Sequence, residues 1–198
     1  MNPLRIFFES LAEEWDSSQP KHRNKIIIAI LLPFDVPLSN ARTILDVGCG
    51  TGALIPILQL RYPRAKVISI DFAHQMCLRA SQRTSAGCVI QCDVHALPFH
   101  NTCFDAVICH NSFPHFLEKK QALRNMGRVL NPLGALLILH DLSRDRVNEI
   151  HKKAQAEVIH NDLLSESKIL AETLAELGFV PETIDETSSH YLIYAIRL

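Results

Sequence analysis

The chain has no run of basic residues, no long apolar stretch and no Cys-x-x-Cys pair, and each lack removes a class of function. With no basic run and a formal net charge of -1, nothing grips a nucleic-acid backbone or an anionic membrane surface. The most apolar stretch, Ile26–Leu32, is far too short to cross a bilayer. The opening Met1-Asn2-Pro3-Leu4-Arg5 leads into an acidic segment and does not read as a secretion signal, so a cytoplasmic location is expected. The six cysteines, Cys49, Cys77, Cys88, Cys92, Cys103 and Cys109, are expected as buried reduced thiols. A metal or redox role for Cys88 and Cys92, which flank one strand, is the minor alternative. Internal repeats and low-complexity stretches are also missing.

What is present is an ordinary globular composition. An apolar fraction of 47% over 198 residues fits one compact domain, residues 1–198. Helical spacing of Phe7, Phe8, Leu11 and Trp15 predicts a helix over Phe7–Trp15, and a second over Lys21–Leu32 is stopped by Pro33 and Pro37. Strands and helices then alternate. Strands are expected at Thr43–Val47, Lys66–Asp71, Cys88–Asp93, Phe104–His110 and Ala135–His140. Helices are expected at Ala53–Arg61, Ala73–Arg83, Lys119–Leu130, mostly through Arg144–His160, and at Glu166–Leu177 before Gly178. Two strands close the chain, near Val180–Asp185 and Tyr191–Arg197, with no helix between them. Strands apolar on both faces, alternating with helices, mean an α/β fold with a mainly parallel sheet covered on both sides and a final antiparallel hairpin.

The most informative segment is Asp46-Val47-Gly48-Cys49-Gly50-Thr51-Gly52, which leaves a strand and opens a helix. Glycines let the backbone turn tightly and approach a ligand, and the helix start offers free N–H groups. Nicotinamide enzymes also use such a loop, but the spacing here is Gly-x-Gly-x-Gly rather than Gly-x-Gly-x-x-Gly. Asp71 ends the second strand, where a carboxylate can accept ribose hydroxyls. Asp93 ends the third strand, where its carboxylate can accept an adenine amino group while the Val94 N–H reaches a ring nitrogen. A lone aspartate at a strand end is as often a helix N-cap, but three at successive strand ends, with the glycines, point to a nucleotide-like ligand.

These residues resemble the class I S-adenosylmethionine-dependent methyltransferases. Ile44–Gly52 looks like their signature loop, Ser69–Phe72 their ribose-binding strand end, and Asp93-Val94 with Leu97-Pro98-Phe99 their adenine segment. Phe104–Ile108 resembles their fourth strand, and Arg128–Ala135 the turn into their fifth, where the family usually has Lys-Pro-Gly-Gly. The likeness runs from about Thr43 to His140 and has the flavour of the small-molecule enzymes related to quinone biosynthesis. It implies a Rossmann-like three-layer sandwich, a seven-stranded sheet of order 3-2-1-4-5-7-6 and an antiparallel last strand. It also implies roles. Gly48, Cys49, Gly50 and Gly52 form the loop under the methionine part of S-adenosylmethionine, and Asp46 helps hold its amino group. Asp71 takes the ribose, Phe72 packs beside the adenine, and Asp93 and Val94 read it. The backbone at Cys109 and His110 reaches the methionyl amino group. Residues 1–40 would be a helical lid or substrate segment, 41–141 the cofactor core, and 142–198 the substrate-side helices and hairpin.

Methyl transfer from a sulfonium demands alignment and exclusion of water, and a base only when the nucleophile arrives protonated. Asn111-Ser112-Phe113-Pro114-His115 is not the Asn/Asp-Pro-Pro-aromatic element of amino-methylating nucleic-acid enzymes, so the expected acceptor is a small molecule. His110, His115 and His140 close two neighbouring strands, and His151 and His160 follow. His115 and His140 are the candidate catalytic residues; His115, His140, His151 and His160 are candidate ligands of a divalent transition metal. The bland alternative is that all of them pack or face solvent. The competing functions are a non-catalytic cofactor- or metal-binding protein on the same fold and a nicotinamide-dependent oxidoreductase. Oligomeric state is not legible.

Overall fold

The computed structural model describes residues 2–84 and 88–198. Asn2 caps α1 (Pro3–Leu11), its side chain accepting the Leu4 N–H, and Pro3 sits where a missing N–H costs nothing. The helix therefore starts earlier than Phe7 and ends at Leu11, and Trp15 falls in a run of turns. Next come α2 (Arg23–Leu31), a 3-10 turn Leu32–Phe34 and the short α3 (Asp35–Leu38).

The alternation follows: β1 (Thr43–Val47), α4 (Ile55–Arg61), β2 (Lys66–Asp71), α5 (His74–Ser81), β3 (Cys88–Gln91), β4 (Phe104–His110), α6 (Lys119–Val129) and β5 (Leu130–His140). The chain ends in α7 (Arg144–Lys153), α8 (Ser167–Glu176), β6 (Phe179–Glu186) and β7 (Tyr191–Arg197). All seven strands form one sheet of order β3-β2-β1-β4-β5-β7-β6. Pairing is parallel from β3 through β5, and β7 runs antiparallel to both β5 and β6. This is the Rossmann-like sheet that the resemblance implies.

Side chains alternate across the sheet, as the period of two requires. Leu45, Val47, Val107, Cys109, Leu136 and Ile138 face a layer that includes Leu123 and Met126 of α6 and Leu170 and Leu174 of α8. Ile44, Ala106, Ile108, Leu137 and Leu139 face the other layer, with Ile27 and Leu31 of α2 and Leu58 of α4. Two departures from the sequence reading bear on the site. β5 begins at Leu130 because Asn131–Gly134 bulges without ending the strand; the register with β4 jumps between Phe104 and Ala106, and Leu133 has φ 61°. α7 stops at Lys153, and a separate 3-10 turn covers Glu157–Ile159, so Arg144–His160 is not one helix. Among the described residues, no helix is long and apolar enough to cross a membrane.

The six cysteines are all free, but only Cys49, Cys77 and Cys109 are buried; Cys88 is exposed at the end of a strand whose two faces are only partly covered.

Candidate functional site

A cleft of about 960 Å³, its open mouth included, lies at the carboxyl ends of β1, β2 and β4. That is where open α/β sheets bind ligands, because the strand order reverses about β1 and leaves a crevice between the outgoing loops. Gly48, Cys49 and Gly50 form its floor, Asp71 and Phe72 one side, Asp93 and Val94 the next, and His110 and His115 the far side.

The floor needs its glycines. Gly48, Gly50 and Gly52 have φ of 68°, 55° and 86°, a region closed to most side chains. A Cβ at Gly50 would meet nothing within 4 Å, whereas at Gly52 it would press on the Ala80 backbone at 3.0 Å. Gly50 thus leaves a cradle open above the loop, and Gly52 lets the loop seat against α5. The N–H of Gly50 donates to Asp71 Oδ2 at 2.9 Å, and the N–H of Ala73 donates to Oδ1 at 2.9 Å. Each oxygen keeps a lone pair for a further donor. Burial pushes the Asp71 carboxyl up to about 6, against the pull of those two N–H groups.

Asp46 lies beneath the loop and does not line the cleft. Burial drives its carboxyl up to about 7; the Ser69 hydroxyl, donating at 3.1 Å, opposes this and Asp71 adds to it. Protonation of Asp46 therefore favours the folded, ligand-free state below its unfolded pKa near 3.9, and that advantage is lost as pH rises through about 7. The Asp46→Asn variant lacks this loss. Its urea midpoint is expected to gain on the wild type between pH 4 and pH 7 and to hold a constant lead above. Parallel curves would show that Asp46 is ionised throughout.

Asp93 is exposed and caps the 3-10 turn Val94–Ala96, its Oδ1 accepting the His95 N–H at 2.9 Å and facing His95 Nδ1 at 2.5 Å. Its Oδ2 has no partner among the described residues, so the N-cap and a ligand contact coexist. Cys109 is fully buried, its thiol 3.1 Å from the Ser112 hydroxyl, and it does not line the cleft.

The histidines separate. His115 lines the cleft, its Nδ1 2.7 Å from the carboxylate of the buried Asp162 and its ring 4.9 Å from that of Phe8. His151 packs against it at 4.8 Å, but its Nδ1 is bound to the Asp162 carbonyl. His160 folds back on the Ala154 carbonyl at 2.7 Å. His140 is 2% exposed and does not line the cleft; burial pushes its pKa down to about 3, and His110 adds to the shift. The expected metal centre is corrected. Among the described residues, no three His, Cys, Asp or Glu side chains converge on one point. The break after Lys153 frees His160 from the helix, but it then turns to the nearest carbonyl.

Several cleft groups were not legible beforehand. Leu4, Phe8 and Trp15 of the N-terminal segment roof it. Glu9 accepts the N–H groups of His74 and Gln75 at 2.8 and 2.6 Å, capping α5 from another helix. Asp16 accepts the Thr51 hydroxyl at 2.6 Å and pairs with Arg83. Arg23 and Asn111 complete the wall around Asp141. The forewarnings were the aromatic spacing of Phe8 and Trp15 and the expected lid over residues 1–40.

Residues 45–138 match the family described as "Methyltransferase domain". The chain is 30% identical over 140 residues to the demethylmenaquinone methyltransferase of Thermotoga maritima, covering 67% of this chain and 58% of that one. It is 28% identical over 196 residues to the malonyl-[acyl-carrier protein] O-methyltransferase of Halorhodospira halophila, covering 93% and 64%. The chain thus spans less than two thirds of either relative. In fold it is similar to a SAM-dependent methyltransferase from Aquifex aeolicus, with a TM-score of 0.76 at 19% identity over 96% of this chain and 98% of that one.

Proposed function

We propose that the chain is a class I S-adenosylmethionine-dependent methyltransferase and transfers a methyl group from that cofactor to a small-molecule acceptor, a reading supported by its match to the methyltransferase-domain family and by its relatives. The observation that carries this reading is the open cradle above Gly50, which shares one cleft with the buried carboxylate of Asp71. When bound, S-adenosylmethionine supplies a methyl carbon made electrophilic by a positively charged sulfur. The residues fit that group. Gly48, Cys49 and Gly50 pass beneath its methionine part, and the spare lone pairs of Asp71 accept the ribose hydroxyls. Phe72 packs beside the adenine, with Asp93 Oδ2 and the Val94 N–H at its polar edge. Asp46, buried beneath the loop, would lie under the methionyl ammonium, and His110 at the end of β4 lines the same cleft.

In this reading residues 1–40 roof the cleft, 41–141 hold the cofactor and 142–198 supply the acceptor side. His115 is the one histidine of the candidate set, beyond His110, that reaches the cleft among the described residues. Asp162 accepts its Nδ1–H, which leaves the Nε2 lone pair to take a proton from an acceptor O–H or N–H. Phe8 and Trp15 exclude water, which strengthens every charge interaction below them. The relatives' names, one for a quinone precursor and one for a malonyl thioester, support a small acceptor.

Calorimetry tests the reading. S-adenosylhomocysteine is expected to bind and NAD is not; the opposite pattern would overturn it. With any acceptor that turns over, His115→Gln is expected to lower kcat by about 10²–10⁴ while leaving cofactor affinity within about twofold. An unchanged kcat would remove His115 from the chemistry.

A further inference from the structure

Arg23 opens α2, where the helix dipole disfavours a cation, yet it is 8% exposed and faces the cleft. Its charge is held there by Asp141, with Nε donating to Oδ2 at 2.8 Å. Asp141 is itself fixed. Its Oδ1 accepts from Asn111 Nδ2, and its own N–H donates to Asn111 Oδ1 at 3.2 Å. Although burial raises the Asp141 pKa, its neighbours His110, Arg23 and Asn111 hold the carboxyl well below the usual range. His110 stands 3.6 Å from Asp141, and burial lowers its pKa while Asp141 raises it.

This arrangement uses only one edge of the guanidinium. Among the described residues, no acceptor meets the Nη1 or Nη2 hydrogens, and a guanidinium presents that edge as a fork matched to a carboxylate. Among the described residues, Arg23 is also the one Lys or Arg lining the cleft. A dianionic phosphate would find no second cation, while a single carboxylate finds its partner.

We propose that Arg23, pinned by Asp141, is the carboxylate-binding residue of the cleft. This rests on the methyltransferase reading and deepens it. Two sources carry that chemistry: the methionyl end of the cofactor, or a carboxylate on the acceptor.

The test is calorimetry on wild type, Arg23→Met and Arg23→Met/Asp141→Asn, the last sparing the variant a lone buried carboxylate. The ligands are S-adenosylhomocysteine, 5′-methylthioadenosine (which lacks the amino-acid end), and malonate added to protein saturated with S-adenosylhomocysteine. If the cofactor supplies the carboxylate, S-adenosylhomocysteine weakens by about 10–100-fold in both variants and methylthioadenosine stays within about twofold. If the acceptor supplies it, both nucleosides are unaffected, and malonate binds the wild type but not the variants. Equal weakening of both nucleosides, or no response from any ligand, overturns the proposal. Wild-type protein that binds neither nucleoside brings down the methyltransferase reading and this one with it; intact wild-type binding beside indifferent variants brings down this one alone.

Discussion

A Gly50→Val protein is expected to fold and to lose measurable affinity for S-adenosylhomocysteine. The position separates folding from binding because a Cβ there meets no protein atom within 4 Å, and the space it enters is the cleft itself. The fold is expected to lose about 1–2 kcal/mol, since φ 55° is a left-handed conformation that a side chain resists. The Gly50 N–H would still reach Asp71. The two branches of valine would stand in the space proposed above for the methionyl chain, and no rotamer withdraws both. Urea unfolding reports the first effect and calorimetry the second. A folded variant with wild-type affinity would mean that the ligand does not cross this loop.

Gly48→Ala, a smaller change two residues away, is expected to damage the fold instead. The added methyl would sit 2.4 Å from Ser112 Cβ and 2.5 Å from its hydroxyl. Ser112 is not free to retreat, because its hydroxyl donates to the Val47 carbonyl at 2.9 Å and closes the end of β1 against the loop after β4. Left-handed strain of about 1–2 kcal/mol adds to overpacking of about 1–3 kcal/mol. That sum is a large part of a typical domain's stability, so a fall of several degrees or more in Tm is expected. Adding Ser112→Gly should recover part of the loss by making room. If the two single losses simply add in the double variant, the clash is not their cause.

The contrast between these glycines shows what was legible in the sequence. That Gly48, Gly50 and Gly52 serve a turn follows from a local pattern, a β-branched strand running into small residues. Which of them faces a ligand and which faces protein depends on Ser112 and Ala80, distant in sequence, and no periodicity announces that. The strands and their ends at Asp71 and His110 came through because each carries its own apolar run, whereas their order came only from the resemblance to the methyltransferases. The first helix was misplaced because the aromatic spacing outweighed the Asn2-Pro3 start signal. β5 was read as starting at Ala135 because Asn131-Pro132-Leu133-Gly134 has turn composition, although the backbone bulges there within the strand. Histidines gathered by strand order needed side-chain directions to be sorted, and those are set by single partners such as Asp162 and the Ala154 carbonyl. Arg23 and Asp141, 118 residues apart, gave no sign of each other.

Glu9 and Asp16 carry a consequence for how the molecule responds to its ligands. Both are acids of the N-terminal segment, and they hold Thr51, which lines the cleft beside Gly50, and the start of α5, whose Met76 lines it. Order in the first eighteen residues and occupancy of the cleft are therefore reciprocally coupled: whatever free energy a ligand adds to the docking of this segment, the docked segment returns to the ligand. A ligand that fills the cleft is therefore expected to protect the amide hydrogens of the amino-terminal segment from exchange.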